Sequence, residues 1–203
     1  DQDDIWYKNK ILLMTNAMCQ TTAKIAWCDY EIYEEGNNNK NTFVLKQYEL
    51  DEILTENFVP GCTMAIKGEL IDKVKRLNFD NIFMHDWLLM IFSTTFSQGV
   101  HVNYVGVQYR IHSNNQIGMN SIKKRIFVIA KNLLERKNPR RRMLKEVSDS
   151  FPELLTPDQK QKLEQFIIKD KRLLERYHFS MTVKRKHWLD TVLIRTSILF
   201  GRY

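Results

Sequence analysis

The chain opens on Asp1-Gln2-Asp3-Asp4-Ile5-Trp6, in which three carboxylates within four residues are followed at once by apolar side chains. Carboxylates this close together repel one another unless a cation lies among them, so the stretch indicates a hard-metal site at the tip of a strand. An isolated acidic cluster is also typical of a solvated chain end. The choice between these interpretations depends on motifs further along the chain.

Three later stretches carry chemistry that would complete such a site. They are Gly61-Cys62-Thr63-Met64, Met84-His85-Asp86-Trp87 and Tyr109-Arg110-Ile111-His112-Ser113-Asn114-Asn115. In this order and at these separations, the four stretches together resemble the motifs of inverting glycosyltransferases of family 2. They are most similar to those of bacterial rhamnosyltransferases that build cell-wall or capsular polysaccharide. The resemblance covers residues 1–120.

The resemblance implies an α/β fold, the A-type or Rossmann-like glycosyltransferase domain. In that family the acidic motif follows a nucleotide-binding half of roughly a hundred residues, the scale of one mononucleotide-binding unit. We therefore expect residues 1–120 to be the C-terminal portion of the catalytic domain, lacking its N-terminal nucleotide-binding part. We expect residues 121–203 to be a basic, amphipathic helical extension.

Sugar transfer from a nucleotide needs a cation on the diphosphate, a grip on the phosphates and a base for the acceptor hydroxyl. By resemblance, Asp3 binds the metal, and Asp1 binds the metal or the donor. Hard oxygen ligands suit Mg²⁺ or Mn²⁺. Arg110 and His112, two residues apart in a predicted strand, share a face and are expected to contact the donor phosphates or, for His112, the metal.

Asp86 resembles the catalytic base of the family. Considered alone, an Asp at the start of a helix is more often an N-cap. Gly61, Cys62 and Thr63 resemble the segment that lines the acceptor side, although an ordinary strand start after Pro60 explains them equally well. His85 and Trp87 are also expected on the acceptor side, and ordinary burial is the competing explanation for Trp87.

Local patterns predict the elements that carry these motifs. We expect a helix over residues 5–20 with Asp4 as its N-cap, and a strand over residues 24–33 that runs into a turn at residues 34–39. Further helices are predicted over residues 47–57, 68–77 and 86–96, and strands over 62–66 and 100–112. Beyond residue 120 the pattern is helical, with breaks at Asn138-Pro139 and Phe151-Pro152, and with Pro157 at the first helical position behind Thr156.

Charge divides the chain unevenly. Residues 1–120 have 10 Lys or Arg against 15 Asp or Glu, whereas residues 121–203 have 21 against 9, a net charge of +12. Such a tail is typical of amphipathic helices with basic solvated faces or of peripheral docking on an anionic membrane surface. Apolar faces are predicted in the tail at Ile122, Ile126, Phe127, Ile129, Leu133 and Leu134, and at Trp188, Val192, Leu193, Leu199 and Phe200. Nucleic acid is the least favoured partner, because no known recognition motif is present.

The remaining composition favours a cytoplasmic protein, with contact at the inner face of the cell membrane as an option. No apolar run approaches the length that crosses a bilayer. The three cysteines have no CxxC spacing, so we expect reduced thiols and no zinc site.

We therefore predict an enzyme of bacterial envelope polysaccharide biosynthesis. It would transfer a sugar, with rhamnose expected, from a nucleotide-sugar donor to a glycan or lipid-linked glycan acceptor, with inversion. The alternative is a non-catalytic membrane-associated or nucleic-acid-binding module with a basic helical tail.

Overall fold

The computed structural model describes residues 4–34, 37–96, 98–111, 138–167, 172–185 and 188–201. It is a mixed α/β structure that divides into two compact units. Unit 1 comprises Asp1–Glu49, Asn57–Lys75 and Met84–Met119, and unit 2 comprises Leu50–Glu56, Arg76–Phe83 and Asn120–Tyr203. The division predicted at residue 120 falls outside the described residues and stays a prediction. The described segments 50–56 and 76–83 belong to unit 2 although they lie early in the sequence.

The elements follow one another in an order that mixes strands and helices. The strands are β1 (Ile5–Trp6), β2 (Ile25–Glu34), β3 (Asn37–Phe43), β4 (Met64–Ile66) and β5 (Gly99–Ile111). The helices are α1 (Lys10–Gln20), α2 (Leu50–Thr55), α3 (Gly68–Val74), α4 (His85–Thr95), α5 (Pro139–Ser150), α6 (Pro157–Ile167), α7 (Leu173–Thr182) and α8 (Trp188–Leu199). Short 3₁₀ turns lie at Gly61–Thr63, Phe79–Asn81 and Pro152–Leu154.

The sheet of unit 1 is built around β2 and β5, whose β-branched and aromatic residues favour extended backbone. The strand order is β1-β5-β2-β3, and β4 also pairs with β2. β2 and β5 are parallel, while the other pairs are antiparallel. β4 pairs with the start of β2 and β3 with its second half, so the backbone of the Gly61–Thr63 turn reaches β2 between them.

Helices cover both faces of this sheet. On one face Met14 and Met18 of α1 join a buried cluster with Ala26 and Cys28 of β2. On the other face Ser93 of α4 and the ring of Trp27 approach Gly99 so closely that a Cβ there would lie 1.7 Å and 2.6 Å from their atoms. Trp27 and Cys28 are adjacent in β2 and project to opposite faces, which separates the two layers.

A buried carboxylate joins the sheet to the segment that follows β3. Asp29, only 1% exposed, accepts hydrogen bonds from the Leu45 backbone N–H at 2.8 Å and from His101 Nε2 at 2.8 Å. Trp27 Nε1 donates to the Lys46 carbonyl at 3.0 Å. Burial of these polar groups is tolerated because each has a partner.

Several predicted elements of unit 1 are confirmed, and two details are wrong. The strands at β2 and β5 and the largely buried α4 lie where the sequence predicted them. The helix predicted from residue 5 begins only at Lys10, because Ile5 and Trp6 pair with β5. Asn9, rather than Asp4, is its N-cap residue. The turn predicted through residue 39 is also wrong in part, because residues from Asn37 onward form β3.

Unit 2 is helical in its described part. α5 buries Met143, Leu144 and Val147, and its Glu146 carboxylate accepts from the Asn78 backbone N–H at 2.8 Å and Asn81 Nδ2 at 2.7 Å. These hydrogen bonds lower the pKa of Glu146. They also fix the Phe79–Asn81 turn to α5.

Helix boundaries in unit 2 confirm the predicted breaks. α5 starts at Pro139 with Asn138 Oδ1 accepting from the Arg141 N–H at 3.1 Å. α6 starts at Pro157, where Thr156 and Gln159 exchange hydrogen bonds in a capping box. Of the residues predicted to form an apolar face in α8, Trp188, Val192 and Phe200 are exposed, and the buried side of the helix is formed by Ile194 and Ile198. The face predicted over residues 122–134 lies outside the described residues.

Within the described ranges, every helix is too short or too polar to cross a bilayer.

Candidate functional site

The acidic stretch at the chain start leads into an edge strand beside β5. Ile5 and Trp6 pair with Gln108 and Val107. One residue earlier, Asp4 Oδ1 accepts a hydrogen bond from the Arg110 backbone N–H at 3.2 Å. Asp4 therefore fastens the acidic stretch to the end of β5, a different role from the helix cap that the sequence predicted. The predicted ligands Asp1 and Asp3 lie outside the described residues.

Lys10 connects this stretch to the Gly61–Thr63 turn. Its side chain is 1% exposed, and Nζ donates to the Cys62 carbonyl at 2.5 Å. Nζ also lies 3.6 Å from the centroid of the Trp6 ring, a cation–π contact. Burial lowers the pKa of Lys10, and the nearby Cys28, Cys62 and Asp4 partly oppose that shift.

Cys62 lies at the centre of these contacts. Burial raises the pKa of its thiol to about 12, and the Asp4 carboxylate adds to the shift. A protonated thiol suits this position because a thiolate would be repelled by the carboxylate. The next residue, Thr63, is fully buried; its Oγ1 donates to the Pro60 carbonyl at 2.7 Å, and its own carbonyl accepts from Cys28 Sγ at 3.5 Å.

Gly61 brings the turn against the start of α4. A Cβ added at Gly61 would lie 2.8 Å from His85 Nε2 and 3.5 Å from Asp86 Cβ. The absence of a side chain therefore lets the turn approach the motif that contains the predicted base. His85 is exposed, whereas Asp86 is 8% exposed and Trp87 is 3% exposed.

Asp86 does not act as the N-cap of α4. The cap residue is Met84, whose side chain makes no capping hydrogen bond, and Asp86 is the second residue of the helix. Its Oδ1 accepts from the backbone N–H of Trp87 at 2.7 Å. A carboxylate at this position is favoured by the helix dipole, which stabilises negative charge in the first turn.

Arg110 lies near the end of β5 and is half-buried. Its neighbour Tyr109 packs edge-on against Tyr30, with ring centroids 6.2 Å apart, on the face that α1 covers. Alternation along the strand directs Arg110 to the opposite side. His112 lies outside the described residues, so the predicted pairing of Arg110 with His112 stays a prediction.

The structure thus brings three sequence-distant segments into contact. Asp4 and Lys10 contact the Cys62 region, and Gly61 contacts His85 and Asp86. Trp87 is buried, which agrees with the explanation that it is an ordinary core residue. Its predicted contact with an acceptor stays a prediction. Among the described residues, no group of three or more His, Cys, Asp and Glu side chains is arranged to hold a metal ion. The predicted metal ligands Asp1 and Asp3 are not among the described residues.

Sequence reasoning missed Lys10. A signal was available, because Lys10, Met14 and Met18 share a four-residue spacing and all three are buried in α1. A lysine at a core position of an amphipathic helix indicates a partner that holds its charge. The partner here, a backbone carbonyl 52 residues away, has no sequence signature.

Comparison with known proteins gives one informative similarity. The chain is 35% identical over 133 residues to a protein named dTDP-rhamnosyl transferase RfbG from Shigella flexneri. The alignment spans 59% of this chain and 44% of that protein, so the chain covers less than half of its relative. No family model matches the chain. No solved structure matches it. The similarity supports a relationship to glycosyltransferases.

Proposed function

We propose that this chain belongs to a glycosyltransferase that moves a sugar, rhamnose in the first instance, from a nucleoside-diphosphate donor with inversion. The observation that carries the proposal is the close approach of the Gly61 turn to His85 and Asp86. The similarity to a rhamnosyltransferase supports it independently. An A-type domain of family 2 is the proposed fold.

Asp86 is the proposed base. The acceptor hydroxyl would attack the anomeric carbon, a new C–O bond would form, and the bond to the diphosphate would break on the opposite side. The hydroxyl proton would pass to Asp86, which for this must lie within about 2.6–3.2 Å of the hydroxyl. A single displacement of this kind inverts the anomeric configuration. The position of Asp86 beside the backbone of the Gly61 turn supports the role.

The donor side is assigned to the acidic stretch and the end of β5. Asp3, together with Asp1, would hold Mg²⁺ or Mn²⁺, and Asp1 would also contact the donor. A bound cation would neutralise part of the charge on the departing diphosphate. Arg110 and His112 would bind the phosphates, since a guanidinium offers paired donors to phosphate oxygens. The bond from the Arg110 backbone to Asp4 supports a shared location for the two groups.

The acceptor side is assigned to Gly61, Cys62, Thr63, His85 and Trp87. Lack of a side chain at Gly61 supports this, because it lets the turn lie against His85 and Asp86. The acceptor is proposed to be a glycan or lipid-linked glycan of the cell envelope, with the enzyme in the cytoplasm at the inner leaflet. Lys10 would keep the turn in position by binding the Cys62 carbonyl.

The test is a transfer assay on the protein that contains this chain. Incubation with dTDP-rhamnose, other nucleotide sugars and lipid-linked glycan fractions should yield a glycosylated product whose anomeric configuration, read by NMR, is opposite to that of the donor. Chelation should abolish transfer, and Mg²⁺ or Mn²⁺ should restore it. Retention of configuration, or full activity in chelator, would contradict the mechanism.

A non-catalytic module is the alternative function. In that case the acidic stretch would be a solvated terminus, and the chain would bind a membrane or nucleic acid without turnover. Absence of nucleotide-sugar binding in calorimetry by the same protein would favour it.

A further inference from the structure

The last two helices of unit 2 form an antiparallel hairpin. Arg195 of α8 donates to the Val183 carbonyl at 3.0 Å and to the Met181 carbonyl at 3.2 Å, which satisfies the end of α7. At the other end, Arg176 of α7 lies so close to Gly201 that a Cβ there would be 2.7 Å from its guanidinium. These contacts fix the start of α7 beside the end of α8.

The inner side of the hairpin is packed. Ile194 and Ile198 of α8 are 4% and 5% exposed. Phe179 of α7 meets Phe166 of α6 edge-on, with ring centroids 4.8 Å apart. The hairpin therefore has a defined buried side.

The outer side carries large apolar side chains at helical spacing. We call the hairpin face the six residues Leu173, Leu174, Tyr177, Met181, Trp188 and Val192, each of which is at least 50% exposed. Residues 173, 177 and 181 recur every four positions on α7, as do 188 and 192 on α8, so each helix presents an apolar stripe. Trp188 reaches 72% exposure. Stripes of this kind are rare on surfaces that face only water.

The segment that carries these stripes is basic. Residues 172–201 contain six Lys or Arg against two acidic residues, and the connection between the helices reads Lys184-Arg185-Lys186-His187. Lys184 and Arg172 are exposed at opposite ends of α7. A helix with apolar residues on one face, Trp and Tyr among them, and basic residues beside it has the properties of a segment that lies in a membrane interface.

We propose that the hairpin face binds the surface of an anionic lipid bilayer, with α7 and α8 parallel to the membrane plane. The apolar side chains would enter the headgroup–acyl boundary to a depth of about 5–10 Å, while the basic residues pair with lipid phosphates. This inference does not depend on the proposed sugar transfer. A catalytically inactive chain would bind in the same way.

Vesicle flotation of the 203-residue chain tests the proposal. Vesicles of phosphatidylglycerol should carry the protein at low salt, and vesicles of phosphatidylcholine should carry far less. Partitioning of the Trp188→Ser/Val192→Ser variant should be at least about tenfold lower, because the variant loses apolar area that would be buried in the membrane. Lys184→Gln should lower partitioning roughly fivefold, the effect of one basic residue near an anionic surface.

Unit 1 offers matched controls. Leu12 and Val44 are 59% and 72% exposed, so Leu12→Ser/Val44→Ser removes comparable apolar area away from the hairpin. Lys8→Gln removes one exposed charge there. Neither control should change partitioning. Equal losses in the controls, equal binding to neutral vesicles, or no binding to phosphatidylglycerol would overturn the proposal. So would a dimer in light scattering that Trp188→Ser/Val192→Ser dissociates, since a second copy would then be the occupant.

Tryptophan quenching reports on the same face without a disruptive substitution. Trp27 and Trp87 are buried, and Trp6 and Trp188 are exposed. Brominated phosphatidylglycerol should quench the parent chain and the Trp6→Phe variant but not Trp188→Phe, which retains an aromatic ring and the fold. Quenching that persists in Trp188→Phe would contradict the assignment.

Discussion

Unit 1 buries charged and polar side chains inside its core, whereas unit 2 leaves large apolar side chains on its surface. Lys10, Asp29, Glu31 and Asp86 are each no more than 8% exposed in unit 1. In unit 2, Leu173 and Trp188 are more than 70% exposed. Buried polar groups are costly unless each is paired, and exposed apolar groups are costly unless something covers them. The buried charged groups lie in the unit to which we assign the proposed chemistry, and the exposed apolar stripes of α7 and α8 lie in the unit to which we assign membrane contact.

The largest expected effect that tests this contrast is on activity. Asp86→Asn preserves the size of the side chain but removes the base, so turnover should fall roughly 10²–10⁴-fold while folding survives. Steady-state assays of the protein that contains this chain would measure it, and circular dichroism would check the fold. Asp72→Asn, an exposed carboxylate of α3 in the same unit, is the control and should keep the parental rate. An Asp86→Asn enzyme as fast as the parent would remove the chemical role from unit 1.

The next effect concerns the stability of unit 1. Lys10→Met retains most of the aliphatic stem but leaves the Cys62 carbonyl without its donor, so the free energy of unfolding should fall by about 2–3 kcal/mol. Urea denaturation would measure it. Lys8→Met, which changes an exposed lysine two residues away, should change stability by no more than about 0.5 kcal/mol. Equal effects would mean that burial of Lys10 is energetically unimportant.

A smaller effect depends on pH. Burial raises the pKa of Cys28 from about 9 to about 11. The folded state therefore keeps a proton that the unfolded state releases, so stability is full below pH 9 and declines between pH 9 and pH 11. The decline due to this thiol is about 1.4 kcal/mol per pH unit. The pKa of Lys10 is lowered in the folded state. Its contribution to stability therefore increases as the pH rises towards the ordinary lysine pKa, which opposes the decline due to Cys28.

Comparison of slopes isolates the thiol. Cys28→Ala should make the loss of stability between pH 9 and pH 11 less steep, and the part due to Cys62, whose thiol pKa is also raised, should remain. Cys19→Ala, which removes an exposed thiol, should leave the slope unchanged. Unfolding free energies from urea titrations at several pH values would show this. An unchanged slope in Cys28→Ala would indicate that the thiol is hydrated in solution.

The smallest effect compares helix caps in the two units. Asn138→Ala removes the side-chain hydrogen bond to Arg141 at the start of α5 and should cost about 1 kcal/mol. Asn9→Ala, at the start of α1, should cost clearly less because Asn9 makes no side-chain capping bond. Thermal or urea unfolding would distinguish them. A larger cost at Asn9 would show that unit 1 depends on surface caps as much as unit 2 does.

Local sequence patterns correctly predicted those strands and helices whose own residue types favour the structure they adopt. β2 and β5 are rich in β-branched and aromatic residues, and α4 is almost wholly apolar. The predictions were wrong where pairing with a strand distant in the sequence determines the structure. Ile5 and Trp6 look like the start of a helix, yet pairing with Val107 and Gln108 makes them a strand. The polar residues of β3 look like a turn, yet β2 pairs with them.

The candidate site shows the same division. The motifs identified Gly61, His85 and Asp86, which the structure brings together. No pattern could identify which carbonyl holds Lys10, because that contact depends on the fold of unit 1. In α8, apolar residues occur around most of the helix, so periodicity alone did not show that Ile194 and Ile198 form the buried side.

The burial of two thiols also gives the molecule an internal reporter of its own opening. Cys28 and Cys62 are buried, whereas Cys19 is exposed. An alkylating reagent attacks thiolates that it can reach, so the native chain should gain one adduct quickly. The second and third adducts require unit 1 to open, and their rate of appearance measures how often it does so. Intact mass spectrometry can thus count openings of unit 1 in the unmodified protein, at temperatures and protein concentrations where no optical probe changes.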